Sequence, residues 1–216
     1  MATALTRVGT RASGRRFTAR TARRFFTRVA ALVLVGAVGA PLPAQSSGPL
    51  RLQHGTAVFT ARATFGPFTG VTTAVRGTVS SPSDARAATG WVEVTLDSLR
   101  TGNGTRDRHM RDALETTTHP TARFELDSVV FVPEASSATD SVRPVRLHGR
   151  FRVHGVARPV VADGTLQPRA PDGWQLAASF PVTLAEHEIR KGLSRALGTI
   201  RVQPVVQVRV ELVFTP

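Results

Sequence analysis

Arg146–Gly155 reads RLHGRFRVHG, and its alternation decides the class of fold. Leu147, Gly149, Phe151 and Val153 fall on one face of an extended chain, and Arg146, His148, Arg150, Arg152 and His154 on the other. Successive side chains of a strand point to opposite faces, so this stretch is a strand with one buried face and one wet face. Ile200–Phe214 repeats the pattern. Val202, Val206, Val208, Val210, Leu212 and Phe214 share a face; Gln203, Gln207, Arg209 and Glu211 oppose them. In Trp91–Leu96 the apolar set is Val92, Val94 and Leu96. Similar segments lie near 56–65, 71–80, 122–132, 159–168 and 174–185.

The total is about eight strands, separated by turn signals. These are Gly66–Gly70 (GPFTG, between the first two strands), Ser81–Asp84 (SPSD), Pro133–Asp140 (PEASSATD) and Pro171–Gly173 (PDG). Many short strands with polar turns indicate a sandwich or a barrel. One segment breaks the pattern. Thr105–Glu115 (TRDRHMRDALE) has no strand alternation, and Thr105 or Asp107 is a suitable helix cap. Met110, Ala113 and Leu114 fall at i, i+3 and i+4, an apolar stripe with which a short helix can plug a barrel end or cover a sheet edge.

The net charge of +13 suggests nucleic acid until its distribution is read. Residues 1–44 hold eight arginines and no acid. Taking those eight from the chain's 28 basic residues leaves 20 against 15 acidic, a net charge of +5 spread along the strands. Nucleic-acid binding needs clustered charge and stacking aromatics, so it is set aside. Val29–Ala40 (VAALVLVGAVGA) follows the basic stretch. It is shorter than the roughly 20 residues of a spanning helix and suits the apolar core of a signal peptide. Residues 1–44 therefore read as a cleavable signal peptide, cut after Leu42-Pro43-Ala44, and 45–216 as the mature domain, with no membrane span after cleavage. The expected location is the periplasm or the extracellular space. Arg23-Arg24-Phe25-Phe26 also resembles a twin-arginine signal; general export is the simpler reading. The absence of cysteine excludes disulfides, thiolate zinc sites and a cysteine nucleophile together.

Leu96–Leu126 reads LDSLRTGNGTRDRHMRDALETTTHPTARFEL. Asp97-Ser98, Thr101-Gly102-Asn103, Arg106-Asp107, His109-Met110, and His119-Pro120 with Phe124 resemble, in order and spacing, the signature of the YceI-like domain. Leu147-His148-Gly149, followed by Gly155-Val156-Ala157-Arg158-Pro159-Val160, resembles that family's second marker, a hairpin. The resemblance covers roughly residues 50–214. It implies an all-β, antiparallel, eight-stranded lipocalin-like barrel with one short helix, exported and built around an apolar cavity for polyisoprenoid or related lipids. The chain departs from the family at Ala113-Leu114, where an aromatic pair is usual, and at His119, where tyrosine is preferred. Ala185–Gly198 is longer and more basic than the usual connection.

The inward faces are the best candidates for binding. Phe59 and Phe65 share parity with Ala57, Ala61 and Ala63, and small residues between aromatics leave room for a chain-like ligand. Phe151, Phe180, Val206 and Val208 face the same interior, which an ordinary packed core would also explain. Arg106 and His109 are the candidates for a headgroup contact. A hydrogen-bond cluster that fixes the loop is the favoured alternative, because no nucleophile or partner base accompanies them. His148 and His154 are about 20 Å apart on a strand, too far to share a metal, and read as solvated. His187-Glu188 lacks metalloprotease spacing, and there is no serine elbow or phosphate loop. The expectation is thus no metal, no cofactor and no enzyme, but a binding protein for an isoprenoid-like or other long apolar ligand. The alternative is a protein-interaction module of the cell envelope that uses the outer strand faces or Ala185–Gly198. The reading leaves room for a homodimer, and places Arg190-Lys191 and Arg195 in a solvated loop.

Overall fold

A computed structural model describes residues 48–80, 85–133, 141–190, 194–195 and 200–216. The proposed leader, the Ser81–Asp84 turn, residues 134–140, Lys191 and the side chain of Arg195 lie outside the described residues. Eleven strands are described: β1 Leu50–Ala63, β2 Gly66–Thr72, β3 Val75–Val79, β4 Gly90–Thr95, β5 Thr121–Phe131, β6 Arg143–Val153, β7 Val156–Arg169, β8 Gly173–Thr183, β9 Ser194–Arg195, β10 Ile200–Arg201 and β11 Val205–Thr215. One α-helix, α1, spans Gly104–Leu114. No described helix is long and apolar enough to cross a membrane.

The main sheet runs β11-β8-β7-β6-β5-β4-β3-β1-β2, and β11 also pairs with β1. All its pairings are antiparallel. β1 meets β11 from Arg51↔Thr215 to Thr60↔Gln207 along one edge. Along its other edge it meets β2 over Ala57–Ala63 and β3 at Leu50–Arg51. β2 and β3 thus fill one position in the wall, broken at residues 73–74, and the sheet closes as an eight-stranded antiparallel barrel. Closure satisfies the backbone groups that open sheet edges would expose. β9 and β10 form a separate ribbon.

Alternation is what places the core. In β6, Val145, Leu147, Gly149 and Val153 are buried, whereas Arg146, Arg150 and Arg152 are exposed. In β11, Val206, Leu212 and Phe214 are buried, and Gln207, Arg209 and Glu211 are exposed. One ring of side chains can be followed around the wall: Phe59↔Val208↔Phe180, then Ala162↔Leu147↔Val129.

The helix lies at the end where β1, β4, β6 and β8 finish. Its Met110 and Leu114 pack on Ala61, Leu96, Leu99, Ala122, Val153, Leu184, Ile189 and Val206. Each fully buried Leu or Ile there contributes about 1.5–3 kcal/mol. The Met110–Leu114 stripe is therefore a plug, as its spacing implied. The cap differs from expectation. Asn103, not Thr105 or Asp107, precedes the helix, and its side chain accepts from the Arg106 amide at 3.0 Å. Asp107 is drawn inward by Thr101 instead.

The Gly66–Gly70 turn is a second correction. These residues belong to β2, and the reversal occurs at Thr64-Phe65. Gly70 pairs with Phe59, and a Cβ there would lie 2.1 Å from the Phe59 ring. The glycine makes space for an inward aromatic and does not bend the chain.

Candidate functional site

The barrel encloses a cavity of about 980 Å³, at the upper end of the roughly 300–1,000 Å³ typical of small-molecule sites. Its walls run from Leu50, Phe131 and Phe214 at one end to Phe68, Met110 and Ile189 at the helix end. Of the alanines that line it, Ala57, Ala61, Ala122, Ala162 and Ala178 are buried on strands, where larger side chains would fill the interior. The rings of Phe59, Phe124 and Phe151 are only part-buried although they point inward, because they border open space. Phe151 and Phe180 meet edge to face with centroids 5.1 Å apart, and Phe59 meets Phe68 the same way at 6.0 Å.

Polar side chains of the lining are unevenly placed. Asn103, Thr105, Arg106 and His109 come from the start of α1, and Ser80 from the opposite end. Arg106 is fixed on three sides. Its Nε donates to Thr101 Oγ1 at 2.9 Å, its Nη2 to the Thr101 carbonyl at 2.7 Å, and its guanidinium lies 4.8 Å from the Phe68 ring centroid. Asp107 fastens the loop from beneath, accepting from both the Thr101 hydroxyl and the Thr101 amide. The hydrogen-bond cluster expected of this motif is therefore present, and it lies beside the cavity. Arg106 and His109 line the cavity, while Asp107 and Thr101 hold the loop.

The Thr101 hydroxyl, with help from the Thr101 amide and the charges of Arg100 and Arg111, holds the Asp107 carboxyl below its ordinary 3.8; burial pulls the other way. A depressed folded pKa means that the ionised form stabilises the native state. That contribution is whole above 3.8 and is lost as pH falls through the lowered value. Asp107→Asn is expected to cost about 2 kcal/mol near neutral pH through its charged hydrogen bonds. Thermal midpoints of the two proteins should converge below pH 3.8, and a gap that stays constant to pH 2.5 would refute the assignment.

The structure places Phe59, Phe151, Phe180, Val206 and Val208 on the cavity wall. Phe65 is different: it sits in the β1–β2 turn at the cavity rim and is 81% exposed. Its parity with Phe59 and Ala61 fails because β1 ends at Ala63, two residues earlier. Phe68, Phe124, Met110 and Leu176 also line the cavity and were not among the expected residues. Phe68 would have emerged from the alternation of β2 had Gly66–Gly70 not been read as a turn. His154 is not solvated. It occupies the β6–β7 turn at φ 53°, half-buried, with its ring 4.8 Å from that of His119. His187 is 2% exposed and bonded through Nδ1 to the Val156 carbonyl at 2.9 Å.

A comparison with curated proteins finds no match. Among solved structures, a polyisoprenoid binding domain from Saccharophagus degradans, implicated in plant cell wall breakdown, superposes with a TM-score of 0.63. It shares 18% identity over 76% of this chain and 97% of its own. BcnA of Burkholderia cenocepacia gives a TM-score of 0.60 and 15% identity over 74% and 96%. At such identities these likenesses establish the shared barrel. The sequence itself goes further: residues 50–214 match the model of the YceI-like domain, and the chain belongs to that family.

Proposed function

We propose that this protein is an exported, non-enzymatic carrier that holds one long apolar lipid of the polyisoprenoid class inside its barrel. The observation that carries this reading is the form of the cavity. It is apolar along the whole barrel, and its polar side chains gather mainly at the helix end. Strands of 11 residues are roughly 36 Å long, or nearer 28 Å along the axis once tilted. A space of that length suits an extended hydrocarbon better than a compact ring system. Arg106, already oriented by Thr101, and His109 suit a polar or anionic headgroup at the helix end. The polyisoprenoid binding attributed to the Saccharophagus degradans domain supports the same ligand class. The basic, then apolar, first 44 residues support export.

Native mass spectrometry of the protein purified from its own host tests the proposal. A single adduct is expected, extractable into organic solvent and identified as a prenyl chain, on a polypeptide beginning near Gln45. A polypeptide free of adduct that also fails to take up a polyprenol from phospholipid vesicles would overturn the carrier role. Recovery of the uncleaved chain from the cytoplasm would overturn export.

A further inference from the structure

Outside the cavity, the fold brings together three side chains that are far apart in sequence. Glu115 ends α1, His119 lies in the loop before β5, and His154 forms the β6–β7 turn. Their ligand atoms all fall within 4.8 Å of one another, and all three residues are half-buried. We propose that Glu115, His119 and His154 form a divalent-cation site of the zinc type, which pins the end of α1 to the β6–β7 turn.

Four features support it. First, the donor set of two imidazoles and one carboxylate is one that zinc accepts, with a fourth position left for water. Second, the tautomer of His154 is set from behind. Its Nδ1 faces the His187 carbonyl at 3.2 Å and so carries the proton, which leaves the Nε2 lone pair towards Glu115 Oε2, 3.5 Å away. A backbone carbonyl behind a histidine is the usual way of orienting a metal ligand. Third, bonds of about 2.0–2.1 Å to a tetrahedral ion place ligand atoms about 3.4 Å apart. The His154–Glu115 pair already has that spacing, and the other separations, none above 4.8 Å, need shorten by at most about 1.4 Å. Fourth, the backbone is held in the left-handed region at both Glu115 (φ 49°) and His154 (φ 53°), neither of them glycine. Next to them Gly155, at φ 78°, has no Cβ; one built there would lie 2.9 Å from the His119 ring. The left-handed cap of α1 and the two-residue β6–β7 turn thus bring the three residues together.

Calorimetric titration of the chelator-treated full chain with zinc chloride tests the assignment. One ion per chain is expected, with a rise in the thermal midpoint of about 5–10 °C at a hundredfold excess over Kd. Glu115→Gln and His119→Gln should each weaken binding roughly tenfold or more while the far-ultraviolet circular dichroism stays that of the parent. His148→Gln, on the outer face of β6, should leave it unchanged. No uptake by the parent protein would overturn the site. Uptake of undiminished affinity by the Glu115→Gln/His119→Gln double variant would overturn it equally.

Discussion

Val208→Asp is expected to abolish lipid uptake while the barrel stays closed. Val208 stands mid-wall, paired with Phe59 on β1 and Phe180 on β8, and it borders the cavity. In the empty barrel a carboxylate there can be hydrated by water within the cavity, so the fold bears little of the cost. With a hydrocarbon chain bound, that water is displaced and the charge loses its solvation without gaining a partner. Burial of an unpaired polar group costs several kcal/mol, and an unpaired charge costs more. Affinity should therefore fall at least about 100-fold, close to 2.7 kcal/mol. Val208→Leu keeps the wall apolar and should bind nearly as the parent does. Transfer of a fluorescent polyprenyl probe from vesicles measures both variants. Equal transfer to the aspartate variant and the parent would mean that the lipid sits elsewhere.

Gly149→Ala is expected to produce the largest loss of stability among single-methyl additions to the wall. Gly149 sits on β6 opposite Leu126, next to the point where the β5–β6 register shifts between Leu126 and Ser128. A bulge bends its strand and draws neighbouring backbone together. The consequence is visible in the space available. A Cβ at 149 would lie 2.2 Å from the Glu125 carbonyl oxygen and 2.7 Å from the Phe124 ring. Backbone cannot step aside as a flexible side chain can, so the whole bend must move, at a cost of about 3 kcal/mol. For a domain of this size that lowers the thermal midpoint by about 6–12 °C. Gly104→Ala is the control. Nothing lies within 4 Å of its missing Cβ, and alanine suits a first helical turn, so stability should hold or rise by about 0.5 kcal/mol. Matching midpoints for the two variants would remove the argument from close approach.

The barrel was legible in the sequence because its physics is local. A strand between water and an apolar interior must alternate, and Leu147–Val153 and Val206–Leu212 do so without interruption. The α1 plug was legible for the same reason, through the spacing of Met110 and Leu114. What alternation does not carry is where a strand stops. Phe65 continues the parity of Phe59 but lies beyond the end of β1, and Gly66–Gly70 has turn composition yet extends as β2. The Gly70 case shows the missing information: its reason is the Phe59 ring on the neighbouring strand, which no reading of residues 66–70 alone contains. Whether the inward faces meet or stay apart is likewise a property of the closed ring. Strand number and tilt set the radius, and no single residue encodes it. The grouping of Glu115 with His119 and His154 is hidden for a related reason, since it needs a helix end, a loop and a hairpin tip to converge.

The pairing of β1 with β11 has a kinetic consequence. Arg51 and Thr215 are neighbours in space but lie at opposite ends of the domain sequence. Every other contact between adjacent strands of the main sheet joins segments closer along the chain. Loop-closure entropy makes this seam the slowest contact to form, and it requires the last eleven-residue strand to be available. During synthesis the first strand therefore waits, with one edge unsatisfied, until the last has emerged. A chain in that condition is open and pliable. The seam acts as a timer: the container is sealed only once the last strand has emerged.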